Sequence, residues 1–270
     1  YAEDLRIDYS ILDQHSDSYR KIRNTFRYLL GNLNDKFEEI DLTKIDLEKL
    51  PELERFILNK VYILNNKFHN YFKSYDFHNL YKELLNFCTV DLSAFYFDIR
   101  KDTLYCDNLN SVKRKSCVMV LNVLLNALLR WFAPILSFTS EEIYQLISKE
   151  NKSIHLKKFL SVPEKLNDDH ILKKWNELIK IREVCNISIE EKRATKEIGS
   201  SLEAELKLNL NSKYRKILTN IDLSELCIVS KAEISFDEQS DIFVKTNKAS
   251  GDKCPVCWKI SVEPCARHPK

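Results

Sequence analysis

Glycine and methionine are the residues that this sequence has least of. Among 270 residues there are three glycines and one methionine, Met119. Because glycine favours turns and destabilises helix interiors, so little of it predicts a mainly helical chain. We expect the glycines at joints, with Gly31 ending the first helix, Gly199 preceding a strand and Gly251 preceding a cysteine cluster. Since Tyr1 is not a methionine, we expect the chain to be part of a longer protein.

Long apolar runs and a strong charge of one sign are missing as well. No uninterrupted apolar run approaches the ~20 residues that span a bilayer, and no charged segment followed by an apolar one opens the chain. We therefore predict a cytoplasmic protein with no membrane partner. The formal net charge is only +2, so a polyanion has to be bound by local basic patches.

Recognisable catalytic motifs are absent from the sequence. There is no glycine-rich phosphate loop, no nucleophile elbow and no paired-histidine zinc-protease motif. Five histidines have no partner at ligand spacing, and we expect them to be structural or surface residues: His15, His69, His78, His155 and His170. The sequence therefore predicts a binding module without a catalytic site.

What the sequence has in abundance is helical periodicity, most clearly in residues 1–160. Apolar residues recur every three or four positions from Tyr19 to Leu33, which predicts a first helix. Further helices are predicted at residues 53–75, 77–99 and 112–133, and from Thr139, which with Glu142 has the spacing of a capping box. Residues 1–160 are therefore predicted to form a helical bundle.

A small α/β module is predicted for residues 161–250. Helical spacing covers residues 172–196. Leucines then alternate with polar residues from Leu202 to Leu210, a period of two that predicts a half-buried strand, and two more strands are predicted near residues 226–230 and 241–246. The predicted fold class is mainly α, with the helical bundle followed by this module and by a metal knuckle at residues 251–270.

The strongest local signal is the pair of motifs Cys254-Pro-Val-Cys257 and Cys265-Ala-Arg-His268. Two residues between ligands allow both side chains of a pair to converge on one tetrahedral ion, which predicts a structural Cys3His zinc site. A redox Cys-x2-Cys motif is the alternative. Such a motif should open a helix in a βαβ unit, whereas this pair follows a Gly-Asp-Lys loop, so zinc is favoured.

A basic stripe on the first predicted helix is a candidate RNA surface. Arg20, Arg23 and Arg27 are spaced i, i+3, i+7 with Asn24 beside them, and residues 19–32 contain no acid. Guanidinium groups pair bidentately with phosphate oxygens, so this spacing favours contacts with a nucleic-acid backbone. A solvated helix face, or ion pairs within the protein, is the alternative interpretation.

Side chains beside the metal motif are further RNA-binding candidates. Trp258 can stack on an unpaired base, and Lys259 can contact the backbone. Alternatively, Trp258 packs over the knuckle as its small core.

Segments spread along the whole chain resemble one family of proteins in the same order. They are Tyr1-Ala-Glu-Asp-Leu-Arg-Ile-Asp8, residues 19–34, Asn86-Phe-Cys-Thr-Val-Asp91 with its continuation to Asp98, Lys101-Asp-Thr-Leu-Tyr-Cys-Asp107, Ala133-Pro-Ile-Leu136, Phe138-Thr-Ser-Glu-Glu-Ile143 and Ile198-Gly-Ser-Ser-Leu-Glu-Ala204. These segments are similar to the region that follows the catalytic domain in bacterial-type isoleucyl-tRNA synthetases.

The resemblance implies a role for the chain within a larger enzyme. Members of this family are class I ligases that join isoleucine to its tRNA with ATP and magnesium, and they are expected to act as monomers. The helical bundle would bind the anticodon stem-loop of isoleucine tRNA, with the upstream catalytic domain as its covalent partner and no role for DNA. The family signatures His-Ile-Gly-His and Lys-Met-Ser-Lys-Ser are absent, so these residues should bind tRNA without charging it.

One departure from the family pattern concerns the metal site. The family closes its zinc site with a second Cys-x2-Cys pair that lies farther from the first pair than Cys265 does. Cys265 and His268 are therefore either ligands in a shortened knuckle or part of an intervening loop, with the second pair beyond Lys270.

A function from another class also fits the composition. A zinc-stabilised helical scaffold that binds a protein partner would use apolar faces of the bundle, and its affinity would depend little on salt.

Overall fold

The computed structural model describes residues 6–33, 37–148, 152–238 and 241–268 of the chain. The chain is mainly helical, with a small sheet region towards its C-terminus, which confirms the predicted fold class. It divides into two compact units, Tyr1–Arg100 with Leu109–Asn167 and Lys101–Asn108 with Asp168–Lys270. The domain boundaries near residues 160 and 250 stay predictions.

The first unit is built from helices. They are α1 (Tyr9–Leu33), α2 (Glu52–Ser74), α3 (Phe77–Asn86), a π-helical segment (Phe87–Phe97), α4 (Asp98–Cys106, whose residues after Arg100 belong to the second unit), α5 (Val112–Phe132) and α6 (Ser137–Ile147). One side of α1 is buried in this unit through Ile22, Phe26 and Leu29. The exposed side of α1 is consequently the one that carries the arginines.

Helix α5 supplies the centre of the first unit. By length and composition alone it is apolar enough to cross a membrane. Its sequence nevertheless contains no long uninterrupted apolar run, because Asn122, Asn126 and Arg130 interrupt it. In the structure 78% of its most apolar window is buried. The side chains from Val120 to Leu129 therefore pack inside the unit as a protein core.

A buried ion pair joins α2 to α4 within the first unit. Glu54 is completely buried and Arg100 is 4% exposed. Arg100 donates from Nε to Glu54 Oε1 at 2.6 Å and from Nη2 to Oε2 at 2.7 Å, and Tyr96 donates its hydroxyl proton to Oε1 at 3.2 Å. Burial raises the pKa of Tyr96, so the phenol remains protonated and able to donate.

The second unit combines two helices with a three-stranded sheet. Its elements are α7 (Asp169–Ala194), β1 (Ala204–Asn211), α8 (Leu223–Leu226), β2 (Lys231–Asp237) and β3 (Ile242–Lys248). Strand β1 is central, parallel to β2 and antiparallel to β3. Every second residue of β1 is buried, as the alternating sequence predicts. Helix α7 packs on β3, where the hydroxyls of Ser188 and Thr246 hydrogen-bond at 2.7 Å.

Two predictions about helix ends in the first unit are wrong. Helix α1 begins at Tyr9, earlier than predicted, although its end at Leu33 lies near Gly31 as predicted. Thr139 does not cap α6, because that helix begins at Ser137. The Thr139 hydroxyl instead hydrogen-bonds the hydroxyl of Tyr19 at 2.8 Å.

The predicted strand at residues 226–230 is also wrong. Leu226 ends α8, and the residues after it form a turn where Ile228 has a φ of 57°, a left-handed conformation outside the β region. The strand begins at Lys231 instead. Ala232, Ile234 and Phe236 alternate there with polar residues, the period of two that is typical of a strand, although the burial of this edge strand does not alternate.

The buried ion pair generates a stability prediction. Glu54→Gln removes the charge of Glu54 from this buried pair, and we expect a loss of about 3–5 kcal/mol in the free energy of unfolding, measured with urea. Glu190→Gln is the matched control, because Glu190 pairs with Arg193 on the surface at 2.6 Å and surface pairs contribute about 0–1 kcal/mol. Equal losses in the two variants would contradict the prediction.

Candidate metal centre and RNA surface

A small hairpin carries the first two candidate ligands. Strand β4 (Asp252–Lys253) pairs antiparallel with β5 (Ile260–Ser261), and Cys254 and Cys257 lie in the connection. Gly251 precedes β4 with a φ of 117°. A Cβ atom there would lie 2.2 Å from the carbonyl carbon of Ser261. Glycine is therefore required at position 251 for the two strands to approach each other.

The structure brings all four predicted ligands together. The Sγ atoms of Cys254, Cys257 and Cys265 and Nδ1 of His268 lie within 4.8 Å of one another. Cys257 Sγ is 3.8 Å from Cys265 Sγ, and His268 Nδ1 is 3.4 Å and 3.6 Å from the sulfurs of Cys265 and Cys254. In a tetrahedral zinc site, neighbouring ligand atoms are roughly 3.5–3.8 Å apart. The cluster therefore has dimensions that fit one tetrahedral metal ion.

Backbone amides of the knuckle favour the thiolate forms of two cysteines. The N–H groups of Cys257 and Val256 lower the pKa of Cys254 to about 6, so this thiol is ionised at neutral pH. For Cys265, burial acts to raise the pKa, but the backbone N–H groups of Arg267 and His268 and the side chains of His268 and Cys257 together lower it. Burial raises the pKa of Cys257. Because metals bind thiolates, the turn is already arranged for coordination.

A backbone carbonyl sets the orientation of His268. Its Nε2 lies 3.0 Å from the carbonyl oxygen of Cys106, which can only accept a hydrogen bond. The proton therefore resides on Nε2, and Nδ1, which lies near the sulfurs of Cys254 and Cys265, keeps a lone pair that can bind a metal ion. The same hydrogen bond raises the pKa of His268. No sequence pattern identified Cys106 as part of this arrangement.

The side chains beside the knuckle differ in how accessible they are. Trp258 is 59% exposed, with the ammonium group of Lys253 5.3 Å from its ring centroid. It does not form a buried core for the knuckle, so that alternative is wrong. Lys259 is half-buried and close enough to Asp222 to contribute to lowering the pKa of that carboxyl group, against the effect of burial.

The predicted basic face of α1 is exposed. Arg20, Arg23, Asn24 and Arg27 all have exposed side chains. Arg20 forms an ion pair with Asp17, one turn earlier in the helix. Arg27 makes no ion pair with any residue in the ranges that the structure describes. Most of this face is therefore available to a ligand.

Arg23 is held in place by an aromatic neighbour. Its guanidinium carbon lies 5.9 Å from the ring centroid of Tyr19, and Nη1 donates to the Tyr19 hydroxyl at 3.5 Å. That hydroxyl also bonds Thr139, which lowers the pKa of Tyr19. These contacts restrict the rotamers of Arg23, so less conformational entropy is lost when it binds a ligand.

Comparison with known families identifies the helical part of the chain. Residues 54–208 match the family described as the anticodon-binding domain of tRNA ligase, and the chain belongs to that family. The matched residues run from α2 to β1.

Curated relatives carry a more specific name. A protein named isoleucine–tRNA ligase from Pelagibacter ubique is 66% identical over 268 residues, which is 99% of this chain and 30% of the relative. Proteins of the same name from Zymomonas mobilis and Caldicellulosiruptor saccharolyticus are 39% and 38% identical over 264 and 266 residues, 96% of this chain in both cases. The chain spans between 28% and 30% of the length of these relatives.

The steric requirement at position 251 generates a prediction. Gly251→Ala should disrupt the hairpin and weaken zinc binding at least ~10-fold, measured by competition with a chromogenic chelator. Gly31→Ala is the matched control, because no atom lies within 4 Å of a Cβ atom there and alanine stabilises a helix interior by about 0.5–1 kcal/mol. Unchanged zinc affinity in Gly251→Ala would contradict the steric argument.

Proposed function

We propose that the chain is the tRNA-recognition part of an isoleucine–tRNA ligase and that it binds the anticodon stem-loop of isoleucine tRNA. The observation that carries this proposal is the 66% identity, extending over 99% of the chain, to a protein of that name. The whole protein would join isoleucine to tRNA with ATP and magnesium in an upstream catalytic domain. We further propose that it acts as a monomer in the cytoplasm, without membrane or DNA partners.

In this proposal the exposed face of α1 contacts the tRNA backbone. Arg20 and Arg27 are seven positions apart, which corresponds to roughly 10 Å along a helix. Arg23 and Asn24 lie between them on the same face, so these side chains can contact phosphates along one short stretch of backbone. Support comes from their exposure on a side of the helix whose opposite side is buried.

The knuckle has a second proposed contact with RNA. Trp258 is exposed enough to stack on an unpaired base, and Lys259 lies next to it in the chain. We propose that the ion bound by Cys254, Cys257, Cys265 and His268 is zinc, because thiolate and imidazole ligands in tetrahedral geometry favour that metal. With four protein ligands its role would be structural.

A binding titration tests the proposed function. The chain, loaded with zinc, is titrated with isoleucine tRNA and with the same tRNA carrying an altered anticodon, at two salt concentrations. Tighter, salt-dependent binding of the unaltered tRNA is expected, since phosphate contacts release counterions. If the folded chain binds neither tRNA at low salt, the protein-binding scaffold becomes the better interpretation.

The arginine face gives a prediction of its own. Arg23→Ala should leave the fold intact and reduce the slope of log affinity against log salt by about one, because one phosphate contact is lost. Arg193→Ala, which removes an exposed arginine of α7, should leave the slope unchanged. A slope and affinity equal to those of the unmodified chain would reject a phosphate contact for Arg23.

A further inference from the structure

The end of α4 contacts the metal cluster from outside the knuckle. Cys106 is the last residue of α4, so its carbonyl oxygen has no helical N–H partner available. It accepts the Nε2–H bond of His268 instead, at 3.0 Å. The Cys106 thiol also lies 3.7 Å from the carbonyl oxygen of Val256, which is within the knuckle loop. Cys106, which is distant from the candidate ligands in sequence, thus contacts both His268 and the loop that carries Cys254 and Cys257.

Arg267 connects the same segment to a sulfur of the cluster. Its Nη2 lies 2.7 Å from Asp102 Oδ2, and its Nη1 lies 2.8 Å from Asp107 Oδ1. The guanidinium group also lies close enough to the Cys257 thiol to act against the rise in the pKa of that thiol. The two carboxylates raise the pKa of Arg267 although burial acts to lower it, so the group remains charged beside the sulfurs.

We propose that Asp102, the Cys106 carbonyl, Asp107 and Arg267 form an outer shell that positions the metal ligands, so that the metal centre depends on residues 101–108. This inference rests on the proposed metal site. Three thiolates and a neutral imidazole around a divalent ion carry a net charge of about −1, which the Arg267 guanidinium offsets. Asp102 and Asp107 fix the direction of that guanidinium, while the Cys106 carbonyl fixes the tautomer of His268.

The shell has a consequence for the fold of the second unit. Residues 101–108 contribute no metal ligand, yet they contact the side chains of Arg267 and His268. A bound ion would fix His268 and, through it, the hydrogen bond to Cys106. Metal binding and the docking of residues 101–108 are therefore coupled in this proposal, and each strengthens the other.

The test is a comparison of metal affinities in the full chain. Arg267→Gln, and the double variant Asp102→Asn with Asp107→Asn, should each bind zinc roughly 10–100-fold more weakly in competition with a chelator. Arg267→Lys keeps the charge but not the two-pronged geometry, and it should give an intermediate affinity. Arg193→Gln is the control, because that arginine pairs with Glu190 on the surface away from the candidate ligands in sequence.

Cobalt(II) spectra separate this inference from the metal site itself. At saturating cobalt, the thiolate charge-transfer bands of Arg267→Gln should match those of the unmodified chain, because all four ligands are still present. If Arg267→Gln binds zinc as tightly as Arg193→Gln does, and the unmodified chain shows normal thiolate bands, the outer shell alone is overturned. Absence of thiolate bands in the unmodified chain would overturn the metal site and the outer shell together.

Discussion

The buried ion pair between Glu54 and Arg100 constrains the helical unit more than any single apolar contact. Two charges removed from water are tolerated only when their geometry is close to ideal, and here both carboxylate oxygens accept from one guanidinium group. Apolar side chains can slide and repack, whereas this pair fixes the register of α2 against the start of α4. Tyr96 adds a third hydrogen bond to the same carboxylate and makes the arrangement more restrictive.

Within that unit, packing also determines which side chains of α1 are accessible to a ligand. Ile22, Phe26 and Leu29 hold one side of the helix in the core, so the arginines on the other side face solvent. The fold also orders Arg23, which helical periodicity alone does not predict. The Tyr19 hydroxyl is bonded to Thr139, and Arg23 lies over the Tyr19 ring, so one arginine of the stripe is partly ordered before any ligand arrives.

The knuckle differs from the helical unit, because it is too small to bury a hydrophobic core of its own. Its one large aromatic residue, Trp258, is exposed, and its strands β4 and β5 contain two residues each. Such a segment needs a substitute for hydrophobic burial, and a tetrahedral metal site is one that small modules commonly use. The contacts from Arg267 and His268 to residues 101–108 provide a second substitute. A cluster with the dimensions of a metal site and an ionic contact thereby take the place of the apolar packing found elsewhere in the chain.

The sequence by itself determined the features that rest on periodic or closely spaced residues. Helical spacing predicted the core side of α1 and nearly the full extent of α5, alternation predicted β1, and the Cys-x2-Cys and Cys-x2-His pairs predicted a cluster whose four ligand atoms converge. These signals are readable because the interacting residues lie within one element or one short loop.

Only the tertiary structure decided the contacts between distant parts of the chain. Thr139 has the spacing of a cap but bonds Tyr19, and Glu54 lies in an apolar stripe yet is buried as a charge. The carbonyl of Cys106 contacts His268 through the backbone, which every residue possesses. Backbone groups and single long-range partners leave no periodic signature in a sequence. For that reason, only the folded chain shows which contacts hold the helices and the candidate metal ligands in place.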